Sequence, residues 1–134
     1  MSLDVSVIDS GRLSESLLYE VLEHLGAYLS DDVPRAVDLR SLPLTSDDHT
    51  RLREALGRGE VEVELSVAGT SEIFETRYAG IWWVVHRGRD GATLTETIEI
   101  TRCPEVLASH RDDMAAAFDR LSKALSEGRS RRDE

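Results

Sequence analysis

Apolar residues recur at intervals of three and four along three stretches of the chain, which is the period of a helix with one buried face. The first stretch covers residues 13–30, the second follows residue 45 and ends at Gly57, and the third starts near Arg111. Glycine favours such a stop because it adopts the left-handed backbone conformation common just past a helix. Hydroxyl side chains stand at the expected N-caps of the first two helices: Ser14, and Thr45 or Ser46. In the third helix four large apolar residues share one face: Met114, Phe118, Leu121 and Leu125.

Between the second and third helices the period shortens to two, which is typical of strands. Four strands are predicted, over residues 60–67, 72–78, 81–87 and 93–101. Their connections are short, whereas parallel neighbours need crossovers of a dozen or more residues, so the strands should run antiparallel. We therefore predict an α+β fold in which a four-stranded antiparallel sheet, in meander order, packs with about three helices.

The other segments are assigned from their prolines and charges. Residues 31–44 contain Pro34 and Pro43, which limit helix formation and favour an extended connector. Three leucines are expected to pin this connector to the core: Leu39, Leu42 and Leu44. Residues 1–12 are compatible with a short edge strand or with a lead-in to the first helix. Residues 127–134 form a charged tail that we expect to fray.

Length and charge narrow the class of protein. The 134 residues suffice for one core, so a single domain is predicted over residues 1–134. A net charge of -10 disfavours binding to nucleic acid or to an anionic membrane, because both interactions rely on Lys and Arg. No apolar run is long enough to span a bilayer and the N-terminus lacks the layout of a signal peptide, so the cytoplasm is the expected location. The single cysteine, Cys103, excludes an internal disulfide and is interpreted as a small buried filler.

The spacing of the ionisable side chains does not indicate a catalytic or metal site. The histidines are scattered, and none has the i, i+4 spacing of a helical zinc site: His24, His49, His86 and His110. The chain also lacks a phosphate-binding glycine loop, a nucleophile elbow and a dinucleotide fingerprint. We therefore assign no catalytic residue, metal or cofactor and expect no enzyme activity. The alternative is a small ligand-binding domain or enzyme that uses buried acids and a histidine, such as Glu99 with His86.

The strand predicted at residues 81–87 differs from the others because both of its faces are apolar. It is either a central strand covered by helices on both sides, or a strand with one face left for another protein, since exposed tryptophan marks interfaces. In the preceding strand, Glu75 and Arg77 break the alternation, as in an interacting face or a cross-strand ion pair. The candidate partner-binding residues are Trp82, Trp83, Glu75 and Arg77.

Six short motifs follow one another in a specific order along the chain: Ser41-Leu42-Pro43-Leu44, Leu56-Gly57-Arg58-Gly59-Glu60-Val61, Ile73-Phe74-Glu75-Thr76-Arg77, Gly80-Ile81-Trp82-Trp83-Val84, Thr97-Ile98-Glu99-Ile100 and Pro104-Glu105-Val106-Leu107. Their order and spacing resemble the C-terminal conserved region of the HupH/HyaF hydrogenase expression proteins. The resemblance covers residues 38–108 and continues into the last helix. Longer members of that family carry additional sequence before this region.

The resemblance implies a non-enzymatic, chaperone-like accessory role in the maturation of nickel–iron hydrogenase. The implied partner is the precursor of the iron–sulfur small subunit or another maturation factor. A homodimer is also compatible, because an uncovered sheet face or strand edge can be buried against a second copy. On this interpretation at most one of Trp82 and Trp83 contacts the partner, and the other anchors the helices.

Overall fold

The computed structural model describes the backbone of residues 5–66 and 68–133, and the side chains of residues 13–66 and 68–133. This part of the chain forms three α-helices and five strands: α1 (Val5–Asp31), β1 (Arg35–Asp38), α2 (Ser46–Leu56), β2 (Glu62–Leu65), β3 (Thr70–Glu75), β4 (Ile81–Arg87), β5 (Thr93–Ile100) and α3 (Arg111–Asp133). Short turns of 3-10 helix at Leu39–Ser41 and Glu105–Leu107 precede α2 and α3. The chain divides into two units after Arg102, the first with the sheet, α1 and α2, and the second with α3.

The five strands form one antiparallel sheet in the order β1-β5-β4-β3-β2. The meander is confirmed for β2 to β5, but the prediction of four strands is wrong. The additional strand, β1, lies in the connector predicted to be extended and pairs with β5, so that Val37 lies opposite Ile98. The alternation of apolar and polar residues did not indicate β1, because only one of the four residues of this strand, Val37, is buried. Pairing with β5, and not a pattern of its own, defines this strand.

The core lies between one face of the sheet and the helices α1 and α2. β4 is flanked by strands on both sides, and each of its residues from Ile81 to Val85 is buried. Strand alternation directs Trp83 toward the helices and Trp82 toward the opposite face. The buried side chains of the helix-facing core are Leu17, Val21, Val37, Leu39, Leu52, Leu56, Phe74, Ile81, Trp83, Val85, Ile98 and Ile100.

Local hydrogen bonds explain where α2 begins and ends. The Thr45 hydroxyl accepts a bond from the Asp48 backbone N–H, and the Asp48 carboxylate accepts one from the Thr45 N–H, which forms a capping box. At the other end Gly57 has φ 66° and donates its N–H to the Arg53 carbonyl. Both ends of α2 are therefore where the sequence predicted them.

The first helix starts earlier than its apolar period indicated. α1 begins at Val5, so the expected N-cap at Ser14 is wrong, and this residue lies in the helix interior with 4% of its surface exposed. Residues 5–12 are helical and do not add an edge strand, while residues 1–4 lie outside the described residues. Gly11 and its polar neighbours interrupt the apolar period, but none of them is a proline. Their weak preference against helix is therefore overridden by the tertiary context, and the helix continues through them.

Two other elements differ from prediction in length. β2 is a four-residue edge strand in which Val63 and Leu65 are half-buried, so it is shorter than its alternating pattern suggested. α3 continues to Asp133, through the charged segment that we expected to fray. Every residue of α3 is exposed, including its apolar face.

Candidate functional site

Trp83 is an anchor for the helices. Its side chain is fully buried, its ring stacks on Phe74 with a centroid distance of 6.2 Å, and the His49 ring of α2 meets it edge-on at 5.4 Å. The Arg53 guanidinium lies 5.3 Å from the ring centroid, within the range of a cation–π contact. The indole N–H donates to the Glu96 carboxylate at 2.9 Å. The residue therefore joins α2 to the sheet and offers no surface to a partner.

Trp82 lies on the opposite face of the sheet and is also buried, with 5% of its surface exposed. Its indole N–H donates to the Thr101 carbonyl at 3.1 Å. The residues directly across from it are Glu75 on β3 and Glu99 on β5, both half-buried. The structure thus places Trp82 next to Glu75, as expected if both belong to one surface. Very little of the Trp82 side chain is exposed on that surface.

Arg77 is exposed and lies at the C-terminal end of α2. Its guanidinium donates to the Glu54 carbonyl at 2.8 Å, and its backbone N–H donates to the Leu56 carbonyl at 2.9 Å. A cation that binds the last carbonyls of a helix also interacts favourably with the helix dipole. Gly57 makes room for this side chain, since a Cβ there would meet the Arg77 Nε at 2.1 Å. The four predicted contact residues therefore do not form one surface.

An apolar groove opens between α1, α2 and the turn that connects β3 to β4. Its volume is about 280 Å³. The residues that line it are Leu18, Val21, Leu22, Leu25, Ala55, Leu56, Tyr78 and Ile81. Two of them remain well exposed, Leu22 at 62% and Tyr78 at 54% of their surface. Arg77 precedes Tyr78 in the chain but is not among the residues that line the groove.

The sequence contained a signal for this groove that periodicity alone did not resolve. Val21 and Leu22 are adjacent, so the apolar stripe of α1 is wider than the single face that the sheet covers. Val21 is buried and Leu22 is exposed. Because the sheet covers only part of this stripe, apolar side chains on one edge of α1 stay exposed. Together with α2 and the β3–β4 turn they form the concave groove.

The polar residues of the alternative hypothesis do not form a pair. His86 and Glu99 lie on the same sheet face, but the Val84–Thr97 row separates their cross-strand rows. A different pair, unrecognised in the sequence because its members are 47 residues apart, joins His49 to Glu96 with 2.9 Å between Nε2 and Oε1. It borders a polar pocket of about 460 Å³. In residues 13–66 and 68–133 no group of three or more His, Cys, Asp or Glu side chains is arranged to hold a metal ion.

The fold and the groove define a small α+β domain with a concave apolar surface, and comparison with known proteins assigns its family. The chain matches the model of the HupH hydrogenase expression protein, C-terminal conserved region, over residues 13–127, and it belongs to this family. The resemblance seen in the sequence motifs is thereby confirmed. Within the described residues, no helix is both long and apolar enough to cross a membrane.

Three relatives show the extent of the similarity. The hydrogenase expression/formation protein HoxQ of Cupriavidus necator is 30% identical over 125 residues, which are 92% of this chain and 44% of that protein. The hydrogenase-1 operon protein HyaF of Escherichia coli is 27% identical over 80% of this chain and 37% of that protein. The structure of the hydrogenase expression protein HupH from Thiobacillus denitrificans matches with a TM-score of 0.82 and 40% identity, covering 85% of this chain and 95% of that chain. The chain therefore spans about two fifths of the length of HoxQ and HyaF.

Proposed function

We propose that this chain is a non-catalytic accessory protein of hydrogenase maturation that binds an apolar segment of a hydrogenase small-subunit precursor in the groove between α1 and α2. The observation that carries the proposal is the groove itself, an apolar concave surface with Leu22 and Tyr78 exposed at its edge. Membership in the HupH family supports the hydrogenase context, since the named relatives are expression and formation proteins. The cytoplasmic location stays a prediction.

The size and lining of the groove favour a polypeptide segment over a small metabolite. Its volume of about 280 Å³ is near the lower limit for small-molecule pockets, which also carry a few converging polar groups. The side chains that line it are apolar apart from the Tyr78 hydroxyl. Grooves of this kind accept apolar side chains from one face of an amphipathic helix.

Charge further limits the segment that can bind. The chain carries a net charge of -10, which repels acidic partners and attracts basic ones. On α1 the glutamates Glu15 and Glu23 follow the apolar stripe on its solvent side. We therefore expect the bound segment to combine apolar residues with Lys or Arg.

The residues predicted from the sequence have different roles in this proposal. Arg77 holds the end of α2 beside the groove and is a candidate contact through its exposed guanidinium. Trp83 acts by keeping α2 on the sheet. Glu75, together with the small exposed part of Trp82, stays a candidate for a second contact on the opposite sheet face.

Co-purification with a tagged small-subunit precursor tests the groove. We expect Leu22→Glu to abolish recovery of the precursor, because a carboxylate at the exposed edge of the groove opposes burial of an apolar segment. Leu29→Glu is the matched control, since Leu29 lies on the same helix, is 77% exposed and does not line the groove. Equal recovery with both variants, or no recovery with the unmodified chain, would contradict the proposal.

A further inference from the structure

The helix α3 carries a row of exposed apolar side chains. Its four large side chains, at positions 114, 118, 121 and 125, have 60–72% of their surfaces exposed. Between Asp112 and Glu127 the charged residues of the helix lie on other faces, so this part of α3 is amphipathic and not polar all round. An amphipathic helix gains most of its stability from burying its apolar face, and a contiguous exposed row of this kind marks an interaction surface.

The spacing within the row is that of a helix pair. Steps of four, three and four place the four side chains at the a and d positions of a heptad, the seam along which two helices interlock. The positions that flank this seam hold small residues: Ala115, Ala117, Ser122 and Ala124. Small flanking residues allow close approach of a second helix. The charged side chains between Asp112 and Glu127 occupy the outer positions.

The same spacing is symmetric about its centre. The midpoint between Met114 and Leu125 is also the midpoint between Phe118 and Leu121. When two copies of the helix are placed antiparallel about this point, Met114 faces Leu125 of the second copy and Phe118 faces its Leu121. A two-fold pair of identical surfaces has this reciprocal form.

The distribution of charge along α3 and the helix dipoles favour the antiparallel arrangement. With Met114 facing Leu125, the two helices overlap over residues 111–128. In this overlap the half from Arg111 to Asp119 carries three acids and one basic residue, whereas the half from Arg120 to Gly128 carries two basic residues and one acid. An antiparallel pair brings each acidic half next to a basic half, and it also opposes the two helix dipoles. A parallel pair would place like charges together over the whole length.

We propose that α3 is a self-association surface, and that its occupant is the α3 helix of a second copy of this chain in antiparallel orientation. Met114 and Phe118 of one copy then pack on Leu125 and Leu121 of the other. The proposal does not depend on the hydrogenase partner, because it concerns a different surface from the groove between α1 and α2.

The mass of the full chain in solution tests the association. By analytical ultracentrifugation up to about 1 mM, where an interface at the small end of the size range still associates, the mass should approach twice that of one chain. Phe118→Glu should return the mass to that of a monomer, while Leu94→Glu, which changes another exposed apolar residue, on β5, should leave the dimer intact. A monomeric unmodified chain, or a dimer that persists in Phe118→Glu, would overturn the proposal.

A second variant separates α3 pairing from insertion of α3 into the groove of another copy. Leu22→Glu alters the groove and leaves α3 unchanged. We expect this variant to dimerise as the unmodified chain does. Its dissociation to monomers would show that the groove receives α3 and would overturn helix pairing.

Disulfide cross-linking tests the orientation. In a Cys103→Ser background, oxidation of Met114→Cys chains mixed with Leu125→Cys chains should give a mixed dimer, because these positions face each other. Each variant alone should not cross-link, since the antiparallel arrangement separates two copies of the same position by about 16 Å along the helix axis, beyond the reach of a disulfide. Efficient cross-linking of Leu125→Cys alone would indicate a parallel pair and overturn the proposed orientation.

Discussion

β4 and α3 both carry rows of large apolar side chains, but the row on β4 is buried and the row on α3 is exposed. All five residues from Ile81 to Val85 on β4 are buried, whereas all four apolar residues of the α3 face are exposed. β4 has hydrogen-bonded strands on both sides and helices over one face, so the chain itself supplies its cover. The comparison shows that an apolar pattern reveals a face that needs cover, but not which molecule provides it.

Because the β4 residues are buried and the α3 residues are exposed, the two regions contribute to different properties of the protein. Residues packed in the first unit contribute to the stability of the fold, because their removal leaves a cavity or exposes apolar surface. Residues on the α3 face are exposed, so their removal leaves no cavity, and in the proposed dimer they contribute to association. Substitutions matched in size on β4 and α3 therefore separate folding from binding.

The largest expected effect follows from replacing one aromatic residue in each region. Trp83→Ala should lower the free energy of unfolding by about 3–5 kcal/mol, because it leaves a cavity between the sheet and α2. Phe118→Ala should change it by less than about 0.5 kcal/mol, because the side chain is exposed and Ala favours the helix. Urea denaturation followed by circular dichroism gives the change in free energy of unfolding for both variants. For Phe118→Ala, which keeps both tryptophans, tryptophan fluorescence gives a second measurement.

These measurements need dilute protein, so that dissociated chains are compared and association does not add to stability. Ile98→Ala is a second test of the same core, since Ile98 is fully buried opposite Trp83. Equal loss of stability in Trp83→Ala and Phe118→Ala would show that α3 packs on the core and would remove the distinction drawn here.

The helix caps provide a smaller test of the same contrast. Thr45→Ala removes the hydroxyl that accepts the Asp48 N–H at 3.0 Å, and it should lower stability by about 1 kcal/mol. At the start of α3 the His110 ring accepts the Asp112 N–H at 3.2 Å. His110→Ala should leave the unfolding midpoint of the sheet unit unchanged, because that cap belongs to the other unit. A shift of similar size in both variants would indicate that the two units unfold together.

Much of the fold was predictable because local chemistry and periodicity agree. The boundaries of β4 and the N-cap of α2 matched the sequence, since a two-sided apolar strand and a Thr–Asp capping box are signalled by residues close in the chain. β1 was not predictable, because it exists through pairing with β5, about 60 residues away, and has a single buried side chain. A strand that forms only by pairing with a residue distant in the sequence leaves no periodic pattern in its own residues.

The candidate site was predictable only in part for the same reason. Glu75 and Trp82 do lie side by side, as antiparallel strands joined by a tight turn require. No local pattern indicated that Arg77 would hold the end of α2, because that role depends on how the helix docks. The groove was missed because Tyr78 and Leu22 are distant in the sequence and meet only in the folded chain.

Arg77 provides a third prediction, of about 0.5 kcal/mol. Arg77→Ala removes the hydrogen bond to the Glu54 carbonyl and a favourable charge at the helix end, so α2 should be slightly less stable. Hydrogen exchange of the α2 amides should show faster opening near the end of the helix. Arg77→Lys, which keeps the charge, should recover part of the loss. A dimer mass unchanged in both variants would agree with an association surface confined to α3.

The last expected effect concerns acid, and it arises from the ion-pair network around Glu72. Burial alone would raise the pKa of Glu72, but hydrogen bonds from Arg58 and Arg87 lower it below the usual value of 4.5. Because the folded pKa is depressed, the stabilisation is present above the unfolded pKa and is lost as the pH falls through the folded one. We expect a loss of less than about 1 kcal/mol on acidification below about pH 4.5, since the network is partly exposed.

Glu72→Gln should flatten this part of the curve of unfolding free energy against pH, and Asp119→Asn on α3 should leave it unchanged. The two variants differ because Glu72 bridges the sheet to Arg58 just after α2, whereas Asp119 lies on a helix in which every residue is exposed. A flattening of the same size in Asp119→Asn would place part of the acid sensitivity in α3. The contrast between a buried face on β4 and an exposed face on α3 would then fail for charges, even where it holds for apolar side chains.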